Sequence, residues 1–563
     1  MSLNLKPNKE EIFLKRVVII FWLVVFIFVV FVGKLFDISI FSRSKLLSEF
    51  APQVVPSYDI LRAERGEILD RNGVTLATNE ITFELDVNPS LIPENKVSAL
   101  KTILKDKLKL SSAAIETTFK SNSYVLVSTT VPKDVKDSIE ALKCPDGIVF
   151  TQTYKRIYPF GEILAPLVGV VGVDNSGLSG LEFSLNDYLK GRNGRAFRTF
   201  SYAEPDILGA PTYILNPESG CSIELTIDAN IQAKVYELVK QYVESFNAKS
   251  GFAIVTDPLT NEILAMVSYP SFDPTNFKTI APNLPTSFNY EPGSIMKPVV
   301  AIAALDEGKL NPDDSFYCPG YIKVKDRVIS CWQKHGNEHG LVDIMVNSCD
   351  VAFASIGLRV GKQTLIDYFK LFGFGETTQL EIAGEEAGIV PDVNKIGDVE
   401  LANMAFGQGI AVTQIQMITA LNAITNDGKL CTPHIIKRIT NSNGKVVYES
   451  ETVVKQIIGT QANIDLIKSA MVQVVEEGAP RARIEGYKVM GKTGTAQKPS
   501  STGGYSRSKL IYSFYGAIPY PAPQVSVIVS INETAASQYS TTVSAPLFSQ
   551  IGQFLVKYLR IAK

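Results

Sequence analysis

A serine hydroxyl becomes a useful nucleophile at neutral pH only when a neighbouring base takes its proton. Ser294 has a candidate base three residues on, in Lys297. The stretch YEPGSIMKPVVAIAALDEG, from Tyr290 to Gly308, breaks the chain at Pro292 and Gly293, runs apolar from Val299 to Leu305 and is closed by Gly308. That pattern predicts a buried helix with Ser294 at its N-terminus, on which residues three apart share a face. Pro298 falls in the first turn, where a missing N–H is tolerated. The spacing alone carries no weight, because Ser42/Lys45, Ser442/Lys445 and Ser506/Lys509 have it too. Two polar motifs downstream set Ser294 apart. One is Asn347-Ser348-Cys349-Asp350, after the amphipathic LVDIMV; the other is Gly491-Lys492-Thr493-Gly494-Thr495-Ala496, just before LIYSFYGAIP. Gly494 would let a ligand backbone lie against a strand at that point.

These residues need a frame. The chain has 563 residues and a formal charge of −2, and its 55 Lys and Arg form no long block. Two or three domains fit that length, and nothing in the charge pattern predicts a nucleic-acid partner. Val17 to Gly33 is uncharged and apolar, with Lys15 and Arg16 before it. A helix crosses a bilayer with ~17 to 25 such residues, and a cleaved leader would have a shorter apolar run and a small-residue cleavage site. We expect a cytoplasmic tail over residues 1–16, a single-pass anchor over 17–36 and the rest outside the membrane.

Past the anchor, RAERGEILDRNGVTLA (Arg62 to Ala77) holds a hairpin turn at Asp70-Arg71-Asn72-Gly73. GLSGLEFSLNDYLKGRNG (Gly177 to Gly194) mixes turns with one amphipathic helix. The second region opens with a strand at Ile223 to Asp228 and a helix from about Ala229 to Phe246. A hairpin turning at Asp257 to Asn261 follows; near the other end come the strands LIYSFYGAIP and QVSVIVSINE and a helix from about Ala545 to Leu559. Strands at both ends around an all-helical middle predict one sheet built from both ends of the region.

S-x-x-K, S-x-N and K-T-G, in that order, are the motifs of serine penicillin-binding enzymes. With YEPGSIMK, the Cys331-Trp332 and His339-Gly340 segment, FGFG (Phe372 to Gly375), FGQGIAVTQIQ (Phe406 to Gln416) and GKTGTAQ, the chain resembles class B penicillin-binding proteins, and its division and sporulation branch most. RGEILDRNG and GLSGLE resemble that family's N-terminal pedestal, so the resemblance covers nearly the whole chain. It implies an α+β protein: the transmembrane helix, an elongated mixed α/β pedestal over residues 40–222, and a transpeptidase domain over 223–563 with an antiparallel sheet sandwiched by helices.

The resemblance further implies a monofunctional D,D-transpeptidase acting on peptidoglycan stem peptides and acylated by β-lactams. It would work beside a separate membrane glycan polymerase and division or sporulation proteins, with no cofactor for the chemistry. Ser294 would form the acyl-enzyme and Lys297, as a neutral amine, would take its proton. Ser348 would relay a proton to the leaving amine, Lys492 and Thr493 would hold the substrate carboxylate, and Gly494 and Asp350 would lie against the bound substrate. The N–H groups of Ser294 and Thr495 would form the oxyanion hole, and the Thr495 side chain could also touch the carboxylate. A β-lactam sensor or a catalytically weak structural component of the division complex are the alternative readings.

One position departs from the family. Asp350 stands where asparagine is usual, and a carboxylate beside Lys297 opposes its role as base. Cys318, Cys331, His335 and His339 lie shortly upstream. Cys318, Cys331, His339 and Asp350, with His335 as substitute, would make a tetrahedral zinc set. A Cys318–Cys331 disulfide and free thiols are the competing readings. Cys349 is expected to face away, on the opposite side of an extended Ser-x-Asp segment.

Overall fold

The computed structural model describes residues 9–36, 57–144, 146–198, 213–499, 504–535 and 539–563. Residues 1–8 of the expected tail, 40–56 of the expected pedestal, and Ser42 and Lys45 lie outside the described residues. The chain forms two units, one of Met1–Arg62 with Asn193–Pro217, the other of Ala63–Arg192 with Glu218–Lys563. The first unit holds helix α1 (Lys9–Phe36), whose stretch from Val17 to Lys34 is long and apolar enough to cross a membrane and is not buried in the protein. It also holds a three-stranded antiparallel sheet of Ser57–Leu61, Gly194–Arg198 and Tyr213–Leu215.

The second unit is α+β, and its central sheet carries the site. Strands β1 (Ser250–Thr256), β2 (Ile263–Tyr269), β3 (Met490–Pro499), β4 (Tyr505–Ile518) and β5 (Val525–Asn532) lie in the order β2-β1-β5-β4-β3, all antiparallel. Both ends of the region therefore meet in one sheet, as the strand pattern predicts. All residues of β1 and β5 are buried, which is why they read as nearly continuous apolar runs: both faces are covered by helices. Helix α2 (Ala229–Ser245) is capped by the Asp228 side chain, which accepts from Asn230 N and Ile231 N. It packs with the C-terminal helix Ser544–Tyr558 on one face. The other face carries α3 (Lys297–Asp306), α4 (Asp350–Val360), α5 (Gln414–Thr425) and α6 (Gln461–Gln473); every residue of α5 is buried.

The middle of the region is not all helical. Ser315–Cys318 pairs with Gly336–His339, and Tyr321–Val324 with Arg327–Ser330. Both hairpins are of four-residue strands, too short for periodicity to reveal, and they place Cys318 opposite Gly336.

Ahead of the central sheet, Ile68–Leu69 runs parallel to Ser222–Leu225 and antiparallel to Thr75–Val87. The Asp70 turn forms as expected: Asp70 Oδ1 accepts from Asn72 N and Val74 N, both at 2.8 Å, and Oδ2 accepts from Ala229 N at the start of α2. The two pedestal-like motifs meet in a buried cluster, where Glu182 accepts from Arg65 Nε at 2.5 Å and Arg156 Nε at 2.7 Å.

Candidate active site

Ser294 sits on a single 3₁₀ turn, Gly293–Met296, and α3 begins only at Lys297. The helix therefore starts one turn later than expected, and the difference favours the chemistry, because side chains three apart eclipse in a 3₁₀ turn. The Lys297 N–H closes the turn onto Ser294 O. Gly293, at φ +60°, donates its N–H to Gly407 O at 2.9 Å. Gly407 has φ +83°, and a Cβ there would run into the Gly293 carbonyl, so only glycine permits this backbone approach. On the other side, a Cβ at Gly494 would press on Pro292 O at 2.9 Å. The nucleophile turn is thus held between the Phe406–Gly409 loop and edge strand β3.

Lys297 is fully buried, and its Nζ makes three contacts, with Ser348 O (2.6 Å), Ser348 Oγ (3.2 Å) and Asp350 Oδ1 (2.7 Å). None goes to the Ser294 hydroxyl, which makes no hydrogen bond among the described residues. Lys492, equally buried, donates to Ser348 Oγ at 2.9 Å. One hydroxyl therefore joins both lysine side chains. Burial, with the Lys297 charge second, pushes Lys492 well below the usual lysine range. Burial also pushes the Asp350 carboxyl up, against the pull of Lys297.

Ser348 adopts φ +51°, in the left-handed region, and Cys349 is the N-cap of α4, its Sγ accepting from Ala352 N. The Ser-Cys-Asp segment is a turn into a helix, not an extended strand, so the expectation that Cys349 faces away is wrong. The expected zinc set does not assemble either. Asp350 is committed to Lys297, and His339 is exposed with Nδ1 3.4 Å from Ser315 Oγ. Instead, ligand atoms of Cys318, Cys331, His335 and Cys349 all lie within 4.8 Å of one another. His335, the substitute, takes the place given to His339. All six cysteines are free, so the Cys318–Cys331 disulfide is not formed. A hydrogen bond from Cys349, helped by the Asp350 N–H and the Lys297 charge, pulls the Cys331 thiol down to about 4 despite burial. Cys349 is pushed up in return.

Two contributors escaped sequence reasoning. Glu338 is buried, accepts from Asn347 Nδ2 at 2.9 Å and lies 3.5 Å from His335 Nδ1. Ser540 is buried against the Lys-Thr-Gly strand, its Oγ 2.7 Å from Thr495 Oγ1 and 2.5 Å from Gly494 O. Ser540 lies 45 residues from Thr495 in the sequence and is of a common type, so no local pattern marks it.

Residues 251–553 match the penicillin binding protein transpeptidase domain, and residues 60–202 match the penicillin-binding protein dimerisation domain. The chain belongs to the class B penicillin-binding proteins. This penicillin-binding protein is 35% identical over 503 residues to stage V sporulation protein D of Bacillus subtilis, covering 87% of its own length and 77% of the relative. It is 29% identical to the peptidoglycan D,D-transpeptidase FtsI of Escherichia coli, over 86% of its own length and 82% of the relative. Among solved structures, penicillin binding protein 2X from Streptococcus thermophilus superposes with a TM-score of 0.75 at 25% identity, covering 89% of this chain and 80% of that one.

Proposed function

We propose that this penicillin-binding protein is a peptidoglycan D,D-transpeptidase that cross-links stem peptides through an acyl-enzyme on Ser294. The observation that carries the reading is the Ser348 hydroxyl, bonded at once by Lys297 and Lys492 beside the nucleophile turn. Ser294 Oγ attacks the carbonyl carbon of the penultimate D-Ala, and its proton passes to Lys297 as a neutral amine. The N–H groups of Ser294 and Thr495 receive the oxyanion. The C–N bond then breaks, the leaving D-Ala nitrogen takes a proton through Ser348, and an acceptor amine from a second stem displaces Ser294 from the ester. Thr493 and Lys492 hold the substrate carboxylate, and Gly494 lets the substrate backbone approach β3. A β-lactam carbonyl enters by the same attack and stays as the acyl-enzyme. The chemistry needs no cofactor.

The proposed layout is a tail at 1–16, an anchor at 17–36 with its N-terminus in the cytoplasm, a pedestal over 40–222 and a transpeptidase domain over 223–563. A membrane glycan polymerase and proteins of division or sporulation wall synthesis are its proposed partners. That setting draws on the names of the relatives and on the apolar length of α1.

A structural zinc fits Cys318, Cys331, His335 and Cys349. Three thiols and one imidazole are a zinc donor set, and His335 Nε2 and Glu338 Oε1 are buried with no hydrogen-bond partner. The ion would tie the hairpins to the start of α4; no catalytic step runs through it. About one zinc per purified chain, lost in His335→Ala together with thermal stability, is expected. A zinc-free chain with a Cys318–Cys331 disulfide overturns this part. For the activity, fluorescent penicillin should label the wild-type chain and not Ser294→Ala; labelling that survives the substitution overturns the assignment.

A further inference from the structure

A lysine that takes a proton in a buried site needs something fixed to meet its new charge. Lys297 and Phe353 are both fully buried, and the Lys297 Nζ lies over the Phe353 ring, 5.3 Å from its centre. That is inside the ~6 Å over which a ring face attracts a cation, and the attraction is strongest where water is excluded. Phe353 reaches this place because it stands three residues after Asp350 in the first turn of α4, so the two side chains share one face of the helix. The Asp350 carboxyl and the ring therefore meet Lys297 from the same turn, while Lys492 on β3 opposes a charge there. Carboxyl and ring differ in one respect. The ring has no proton to exchange, so its pull on an ammonium is the same at every pH.

We propose that the face of the Phe353 ring steadies the positive charge that Lys297 acquires as it accepts the Ser294 proton. Phe353 acts through Lys297 and is a positioning residue for the base. The inference rests on the transpeptidase reading, in which Lys297 begins the acylation as a neutral amine. The proton moves from Ser294 Oγ to the Nζ lone pair, and the electron pair left on Oγ forms the bond to the carbonyl carbon. A neutral amine gains little from the ring and an ammonium gains most; the transition state, with the proton part-way across, gains an intermediate share. The ring therefore speeds acylation where the resting amine is neutral and slows it where the resting amine is already protonated.

The test follows single-turnover acylation of the full chain in detergent by benzylpenicillin across pH, with Phe353 replaced by its monofluoro and trifluoro analogues. Fluorine hardly changes the volume of the ring but weakens the negative charge of its face. At the high-pH plateau the trifluoro chain should be acylated about 3- to 5-fold more slowly than wild type, with the monofluoro chain between. At the low-pH end it should be faster by a smaller factor, so the two profiles cross and the midpoint moves to lower pH. The titratable groups beside Lys297 among the described residues are Asp350 on α4 and Lys492 on β3, with the Cys331 and Cys349 thiols behind Asp350. All four are unchanged across the series, so the difference between profiles reads the ring. Superimposed profiles overturn the proposal, as does a uniform drop at every pH, which a ring that only fills space would give. Phe353→Leu removes the ring and should also show a lower plateau and a midpoint at lower pH; a leucine chain whose midpoint stays in place overturns the proposal too. The fluorinated series decides on its own if Phe353→Leu does not fold. A wild-type chain that is not acylated at Ser294 at all would instead sink the underlying transpeptidase reading, so the two failures are distinguishable.

Discussion

Two lysines sharing one serine hydroxyl is an unstable arrangement unless the protons around it are shared out. Lys297 and Lys492 are both fully buried, and Ser348 Oγ can accept from both only if its own proton points elsewhere. Removing that oxygen leaves each amine one acceptor short and deletes the proposed path to the leaving amine. Ser348→Ala should therefore lower the single-turnover acylation rate by roughly 10²- to 10³-fold, the usual weight of a positioned proton-transfer group, while fluorescent-penicillin labelling at long times still reaches Ser294. Asp350 adds a titratable group to the same cluster. Its carboxyl is raised by burial, so above the unfolded value of about 3.9 the folded chain keeps a proton that the unfolded chain has released. Stability from this group falls as pH rises through that window and levels off above the folded value. Melting curves of Asp350→Asn against wild type should accordingly move in favour of the variant from about pH 4 upward; a difference flat with pH would contradict it. The order of Ser294, Lys297, Ser348 and Lys492 was legible because the motifs are local. The ligand set around Cys331 was misread at Cys349 and Asp350 because their placement follows one backbone torsion, φ +51° at Ser348, that the residue types do not announce.

At the scale of elements, the nucleophile turn is positioned from outside itself. The Gly293 N–H is bonded to Gly407 O, and the positive φ of both glycines allows the two backbones to touch. Gly407→Ala combines a disfavoured torsion with a collision against Gly293 O and should cost about 2 to 4 kcal/mol of stability. A drop in acylation rate should accompany the lower melting temperature, since relief of the clash must move the turn that carries Ser294. A variant as stable and as fast as wild type would show that the loop does not hold the turn. The strands and helices that build this frame were readable where they are long and continuously apolar, as in β1, β5 and α2. The four-residue hairpins between Ser315 and His339 were not, because strands this short have too few residues to show a period of two.

Across the whole molecule, the segments of the region ahead of the central sheet are joined through Glu182. Its carboxylate is fully buried between the guanidinium groups of Arg65 and Arg156, and Arg65 Nη2 also donates to the Glu182 carbonyl at 2.7 Å. Arg65 belongs to the segment that leads into Ile68–Leu69, the strand paired with Ser222–Leu225 ahead of α2. Sequence reading took Arg62 to Ala77 and Gly177 to Gly194 as two separate motifs of the pedestal, since 117 residues divide the partners and charge pairing across such a distance has no sequence signature. A buried ion triad adds little over an apolar core of the same volume, but breaking it is expensive because the remaining charges stay buried. Glu182→Gln keeps the shape and removes the charge, leaving two guanidinium groups without a counter-ion. It should destabilise the chain by about 3 to 5 kcal/mol, read as a lower melting temperature in detergent. The site itself lies in another part of the fold, so the fraction that remains folded should acylate at the wild-type rate. A stable Glu182→Gln chain would mean that water reaches the cluster, and a folded chain with slowed acylation would mean that the triad is coupled to Ser294 rather than only to the strands around it.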